Sequence, residues 1–103
     1  MHLLHIPYIR GIRLLQSENI IRIEGLSNYS KIFFANQANP MVVAKVLHWF
    51  EEQLPADMFA RVHRSHLVNK RYVSEIKGMA LKTLLLTNGE SIAISRRKRG
   101  ALA

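Results

Sequence analysis

Short apolar stretches, each halted within a few residues by glycine, proline, asparagine or serine, run the whole length of this 103-residue chain. A chain punctuated this way has little room for long helices, so most of its backbone hydrogen bonds must close between strands. Ile6, Tyr8, Ile12 and Leu14 alternate around Gly11 and predict a first hairpin or meander. Ile20-Ile21-Arg22-Ile23-Glu24 is a second β-rich stretch, entered from the polar Gln16-Ser17-Glu18-Asn19. After a polar break at residues 25–29, Lys31-Ile32-Phe33-Phe34 returns to strand character. Phe59-Ala60-Arg61-Val62-His63 alternates apolar with basic as a half-exposed strand does, and Tyr72-Val73 to Ile76 suits another. Residues 81–87, Asn88-Gly89 and residues 91–94 form the clearest hairpin signal, with Asn-Gly suited to a type I′ turn.

One helix interrupts this pattern. Asn39 is a suitable N-cap and Pro40 a suitable first helical residue; Val43, Leu47, Phe50 and Leu54 then keep a helical period until Pro55. The spacing predicts a helix over about residues 40–54, packed on a sheet, with Glu51 and Glu52 off its apolar stripe. The expectation is therefore a single domain over residues 1–103, mostly β with one main α-helix. No internal repeat, linker or low-complexity tract divides it.

The charge is unevenly placed. Residues 1–59 hold five Lys/Arg and five Asp/Glu, whereas residues 60–103 hold ten against two, so the whole net charge of +8 falls in the second part. A localised positive field points at a polyanion, and nucleic acid is the common one. With no cysteine, disulfides, thiolate catalysis and most structural zinc sites are excluded. No apolar run approaches the roughly 20 residues a membrane span needs. The start, Met1 to Pro7, is too short and too weakly basic for a signal peptide, so a cytoplasmic chain without membrane contact is expected.

Two basic constellations carry the field. Ser95-Arg96-Arg97-Lys98-Arg99 places four cations in succession directly after the last predicted strand. Each can displace counterions at a phosphate, and an arginine can fork onto a guanine edge; a solvated terminus would carry the same charge with no partner. Arg61-Val62-His63-Arg64-Ser65-His66 supplies donors on a turn between strands, although a histidine there can equally pack or cap locally. Asn69 reads better as a hydrogen-bonding residue that fixes a loop than as a base contact. Catalysis has little support: acids are scarce around His63, Ser65 and His66, and no Walker or dinucleotide glycine loop occurs. His63-x-x-His66 and His2-x-x-His5 lack the further ligands of a metal site, so neither metal nor cofactor is expected. Leu26-Ser27-Asn28-Tyr29-Ser30-Lys31 is a third candidate, a polar turn with one aromatic and one cation. A non-specific polyanion or RNA-binding module is the rival reading. Against it, Trp49 sits in the predicted helix and the basic half offers only Phe59, at its border, and Tyr72 for base stacking.

Taken in order, these pieces resemble the LytTR DNA-binding domain. The similarity lies in Asn19 to Gly25 with Asn28-Tyr29-Ser30, in Phe59 to Asn69 with its Arg-x-His-Arg-Ser-x-x-Val-Asn pattern, and in Asn88-Gly89 with Ile94-Ser95-Arg96-Arg97-Lys98. The resemblance implies an elongated domain of small, mainly antiparallel sheets with a packed helix. It further implies sequence-specific binding of double-stranded DNA, without a recognition helix, by loops at residues 28–31, 63–66 and 95–98 that enter successive major grooves. By position, Ser30 or its neighbour Tyr29, Arg64 and Arg96 fall at base-contacting places. Asn28, Lys31, Arg61, His63, Ser65, His66, Lys70, Ser95, Arg97, Lys98 and Arg99 fall to the DNA backbone. Members of the family usually follow a receiver domain in bacterial two-component response regulators, and pairs of them bind repeated sites. The chain would then be the output module of a transcriptional regulator, or a free-standing version of it, without catalysis.

Overall fold

The computed structural model describes residues 1–96. Ten strands, β1 (Leu3–Tyr8), β2 (Gly11–Gln16), β3 (Ile20–Leu26), β4 (Tyr29–Phe34), β5 (Met41–Val43), β6 (Phe59–His63), β7 (His66–Asn69), β8 (Val73–Lys77), β9 (Thr83–Leu86) and β10 (Ser91–Ala93), accompany one helix, α1 (Leu47–Gln53). They make three antiparallel sheets: the pair β1-β2, the five-stranded β5-β4-β3-β7-β6 and the three-stranded β10-β9-β8. The body is elongated, 47 × 25 × 23 Å. Among the described residues no helix is long and apolar enough to cross a membrane.

The five-stranded sheet is covered on both faces, which is why β3 reads as a nearly continuous apolar run rather than a clean alternation. Ile20, Ile23, Phe59 and Leu67 face a core shared with Leu4 and Ile6 of β1 and with Leu47, Phe50 and Leu54 around α1. Ile21, Ala60, Val62 and Val68 face Leu84, Leu86, Ile92 and Ile94 of the three-stranded layer. The register of β3 against β4 shifts between Ile20 and Arg22. That bulge turns Ile21 and Arg22 to the same layer, because two residues of one strand then oppose one of the other.

The helix is shorter than its sequence predicts. Asn39 and Pro40 lie outside it, Val46 occupies the N-cap without a side-chain bond, and residues 41–43 form β5 instead. Met41, Val42 and Val43 pair with Ile32, Lys31 and Ser30 along the free edge of β4. This pairing supplies backbone hydrogen bonds and still buries Val43 beside Leu47 and Phe50, so the β-branched pair gains more from the sheet edge than from a helix turn. The stripe Leu47, Phe50, Leu54 is buried as its period requires.

The Asn88-Gly89 hairpin also differs in detail. Leu86 bonds Glu90 across a three-residue loop, Gly89 N–H donates to Leu86 C=O, and Gly89 alone takes positive φ. A type I′ turn needs positive φ at both central residues; this is the longer loop in which a left-handed glycine closes a type I turn. Asn88 contributes instead through its side chain, whose Oδ1 accepts from Glu90 N–H at 3.0 Å.

Candidate nucleic-acid interface

The tips of two hairpins and the exit of β10 meet at one end of the five-stranded sheet. β3 and β7 run antiparallel with Glu24 opposite His66, so the β3–β4 turn and the β6–β7 turn project from the same edge. Gly25 N–H donates to Ser65 C=O at 2.9 Å, and Ser95 N–H donates to Val62 C=O at 2.9 Å. Backbone bonds thus bring together three segments far apart in sequence. Gly25 is also the point where β3 passes under α1: a Cβ there would stand 3.0 Å from Leu47 Cβ.

Each predicted contact residue can now be placed. Asn28 and Tyr29 are exposed on the first hairpin, whose turn bends through Ser27 at φ 58°. Ser30 is fully buried, and its Oγ donates to Lys45 C=O at 2.7 Å. Alternation along the strand makes this unavoidable, because Tyr29 and Ser30 point to opposite faces. Lys31 is half-buried, opposite Glu24. Arg64 is exposed at the second tip. His63 shapes that tip: its Nδ1 accepts from Ser65 N–H at 3.1 Å, which leaves the ring proton on Nε2. Ser95 is half-buried against β6 and Arg96 is exposed beyond it.

Two cations stand apart from this group. Lys70 follows the far end of β7, where Asn69 pairs with Phe59 and Lys70 N–H donates to Met58 C=O, so the length of β7 separates it from the loops. Arg61 is at the right end but faces inward. Its Nε donates to His63 C=O at 2.9 Å, one Nη to Glu51 Oε1 at 2.8 Å and the other to Arg64 C=O. The sequence pattern could not reveal this partnership, since Glu51 lies on another element ten positions away and shows only as a residue off the helix stripe. Arg97, Lys98 and Arg99 lie outside the described residues.

His66 completes the group at the root of the second hairpin. It is half-buried, its ring is 5.3 Å from that of His63, and its Nδ1 is buried without a hydrogen-bond partner. Desolvation by burial holds its pKa below the ordinary histidine value; Glu24 pulls the other way, while His63 and Arg22 add to the depression. Because the folded pKa lies below the unfolded one, stability is complete above the unfolded value and falls as acid protonates the unfolded chain first. Thermal unfolding should therefore shift down as the pH falls through and below the ordinary histidine range, and His66→Gln should lose less over that interval. Equal losses in the two proteins would show that His66 does not set this dependence.

Comparisons with known proteins bear on the family and the fold. The family model described as the LytTr DNA-binding domain matches residues 10–103. The chain is 32% identical over 87 residues to the sensory transduction protein LytT of Enterococcus faecalis, covering 82% of this chain and 35% of that protein. It is 28% identical over 87 residues to the transcriptional regulatory protein LytR of Staphylococcus aureus, again 82% of this chain and 35% of that one. The chain thus spans about a third of the length of the curated relatives it matches. A solved LytTr DNA-binding domain from Bacillus cereus superposes with a TM-score of 0.74 at 21% identity, over 95% of this chain and 90% of that one, and so shares the fold. Strand order, the gathered basic loops and the family match over nearly the whole chain lead to one conclusion: the chain belongs to the LytTR family of DNA-binding domains.

Proposed function

We propose that this domain binds double-stranded DNA sequence-specifically through the three gathered loops, each facing the major groove or the backbone beside it, as the output module of a transcriptional regulator. The observation that carries the reading is the pair of backbone bonds, Gly25 to Ser65 and Ser95 to Val62, that hold exposed Arg64 and exposed Arg96 on one edge. Both arginines are long enough to fork onto guanine, and both are rooted in sheet rather than in free loop. In the first hairpin the outward residues are Asn28 and Tyr29, so base contact there falls to Tyr29 rather than to buried Ser30. Lys31, His63, Ser65, His66 and Ser95 line the same edge and serve the phosphates, a role we extend to Arg97, Lys98 and Arg99 because they follow Arg96 in the sequence. Lys70 has no part in this face. Two copies on repeated sites, and a receiver domain attached to this one, are in keeping with relatives named for sensory transduction and transcriptional regulation.

The test is a titration of the chain on a duplex that it selects from a random library and on a scrambled version of that duplex. Arg64→Ala and Arg96→Ala should each narrow the difference between the two by about 1–3 kcal/mol, roughly fivefold to 150-fold in the affinity ratio. Equal losses on both duplexes would reduce these arginines to phosphate contacts and overturn the assignment.

A further inference from the structure

We propose that Glu51 and Arg61 form a strut that positions the β6–β7 tip, so that an acidic residue of the helix contributes to sequence discrimination. The proposal rests on the reading that Arg64 contacts bases. The tip is only Arg64-Ser65 between His63 and His66, with neither glycine nor proline to bias its shape. Three side-chain donors of Arg61 are all directed at this region: two reach the consecutive carbonyls of His63 and Arg64, and the third reaches Glu51. A planar guanidinium fixes the relation between such partners in a way that an ammonium on a flexible stem does not. The other end is firm, because Glu51 follows Phe50, which is fully buried in the core between Leu47 and Leu54. Contact therefore runs from the core through Phe50 and Glu51 to Arg61, and from Arg61 to the backbone that carries the Arg64 side chain. The Arg61 side chain is 17% exposed and its charge is met by a carboxylate at 2.8 Å, a poor arrangement for holding phosphate.

The strut makes a prediction opposite in sign to simple electrostatics. Removing an acid from a DNA-binding face should strengthen binding to every sequence. If the strut operates, Glu51→Ala should instead lower the preferred-to-scrambled affinity ratio by roughly fivefold, part of what a bidentate base contact supplies. Glu52→Ala removes the same charge from the same helix but touches His48, not Arg61, and should keep the ratio. Glu51→Gln retains an acceptor oxygen and should restore most of it. Arg61→Lys keeps the charge yet should lower the ratio, with the dependence of affinity on salt unchanged. A loss of folded protein alone would weaken both duplexes equally and leave the ratio intact, so the ratio separates positioning from stability. The strut is overturned if Glu51→Ala tracks Glu52→Ala, or if Arg61→Lys keeps the ratio, while Arg64→Ala still loses it. If Arg64→Ala also keeps the ratio, the base-reading role of the tip fails, and the strut's contribution to discrimination fails with it.

Discussion

Replacing Asn69 by alanine should cost the domain about 3 kcal/mol, enough to lower its melting temperature by on the order of 10–20 °C. The side chain is completely buried at the end of β7 and is satisfied on both sides. Its amide donates to Ile20 C=O at 2.9 Å and more weakly to Ser17 C=O at 3.4 Å, and its Oδ1 accepts from Arg71 N–H at 3.1 Å. One residue thereby joins the entry of β3, the end of β7 and the 3-10 turn at Lys70–Tyr72. Truncation removes these bonds where water does not readily replace them, at roughly 1–3 kcal/mol for each buried group left unpaired, and adds a small cavity. Asn69→Asp separates the two effects. It keeps the shape and the acceptor for Arg71 but turns a donor into an oxygen facing the carbonyls of Ser17 and Ile20, so it should be at least as damaging as alanine. Chemical or thermal unfolding measures both, and a loss below about 1 kcal/mol for both variants would show that the bonds are dispensable.

Asn69 is also a fair measure of what the chain discloses before it folds. A polar side chain inside Leu67-Val68-Asn69 has a local signature, and its role as a loop-fixing hydrogen bonder was legible. So were the β1–β2 hairpin around Gly11, the strand at β6 and the hairpin that closes the three-stranded sheet, because alternation and turn residues are local signals. The helix start was not. Pro40 suits both the first turn of a helix and the entry to an edge strand, and the unpaired edge of β4 decides between them only in the folded chain. The candidate site divides in the same way. Arg64 and Arg96 could be found from composition, turn position and family resemblance, since all three act along the chain. The inward direction of Ser30 follows from register, and the capture of Arg61 by Glu51 follows from α1 packing on β3 and β7 of the same sheet, which no spacing encodes.

A second pairing invisible in the sequence sets the other large expected effect: Glu90→Ala should destabilise the domain by about 3 kcal/mol, while adding Arg22→Met to it should recover most of that loss. Arg22 comes from β3 and Glu90 from the β9–β10 loop, 68 positions later, and they meet between the five-stranded and three-stranded layers. Nε and one Nη of Arg22 reach the two carboxylate oxygens at 3.1 and 2.8 Å, and the guanidinium lies 3.8 Å from the centre of the Phe33 ring. Burial is unequal across the pair, 9% exposed for the Arg22 side chain and 37% for Glu90. Removing Glu90 thus strands the more deeply buried charge, with Glu24 at 3.9 Å the one ion-pair partner left to it among the described residues. Removing the cation as well takes away the desolvated charge, and methionine can still cover Phe33, which is why the double variant should be better than the single one. The carboxylate also sets an acid dependence. Hydrogen bonding to Arg22, more than desolvation can offset, holds the Glu90 pKa below the ordinary value, with Asn88 assisting. A depressed folded pKa contributes stability that is present above the unfolded value and lost as pH falls through the folded one. Glu90→Gln should accordingly be less stable than the parent at neutral pH and converge with it in acid, below the usual carboxylate range. Unfolding curves that stay parallel down to about pH 3 would show that the Arg22–Glu90 bond does not hold the two layers together.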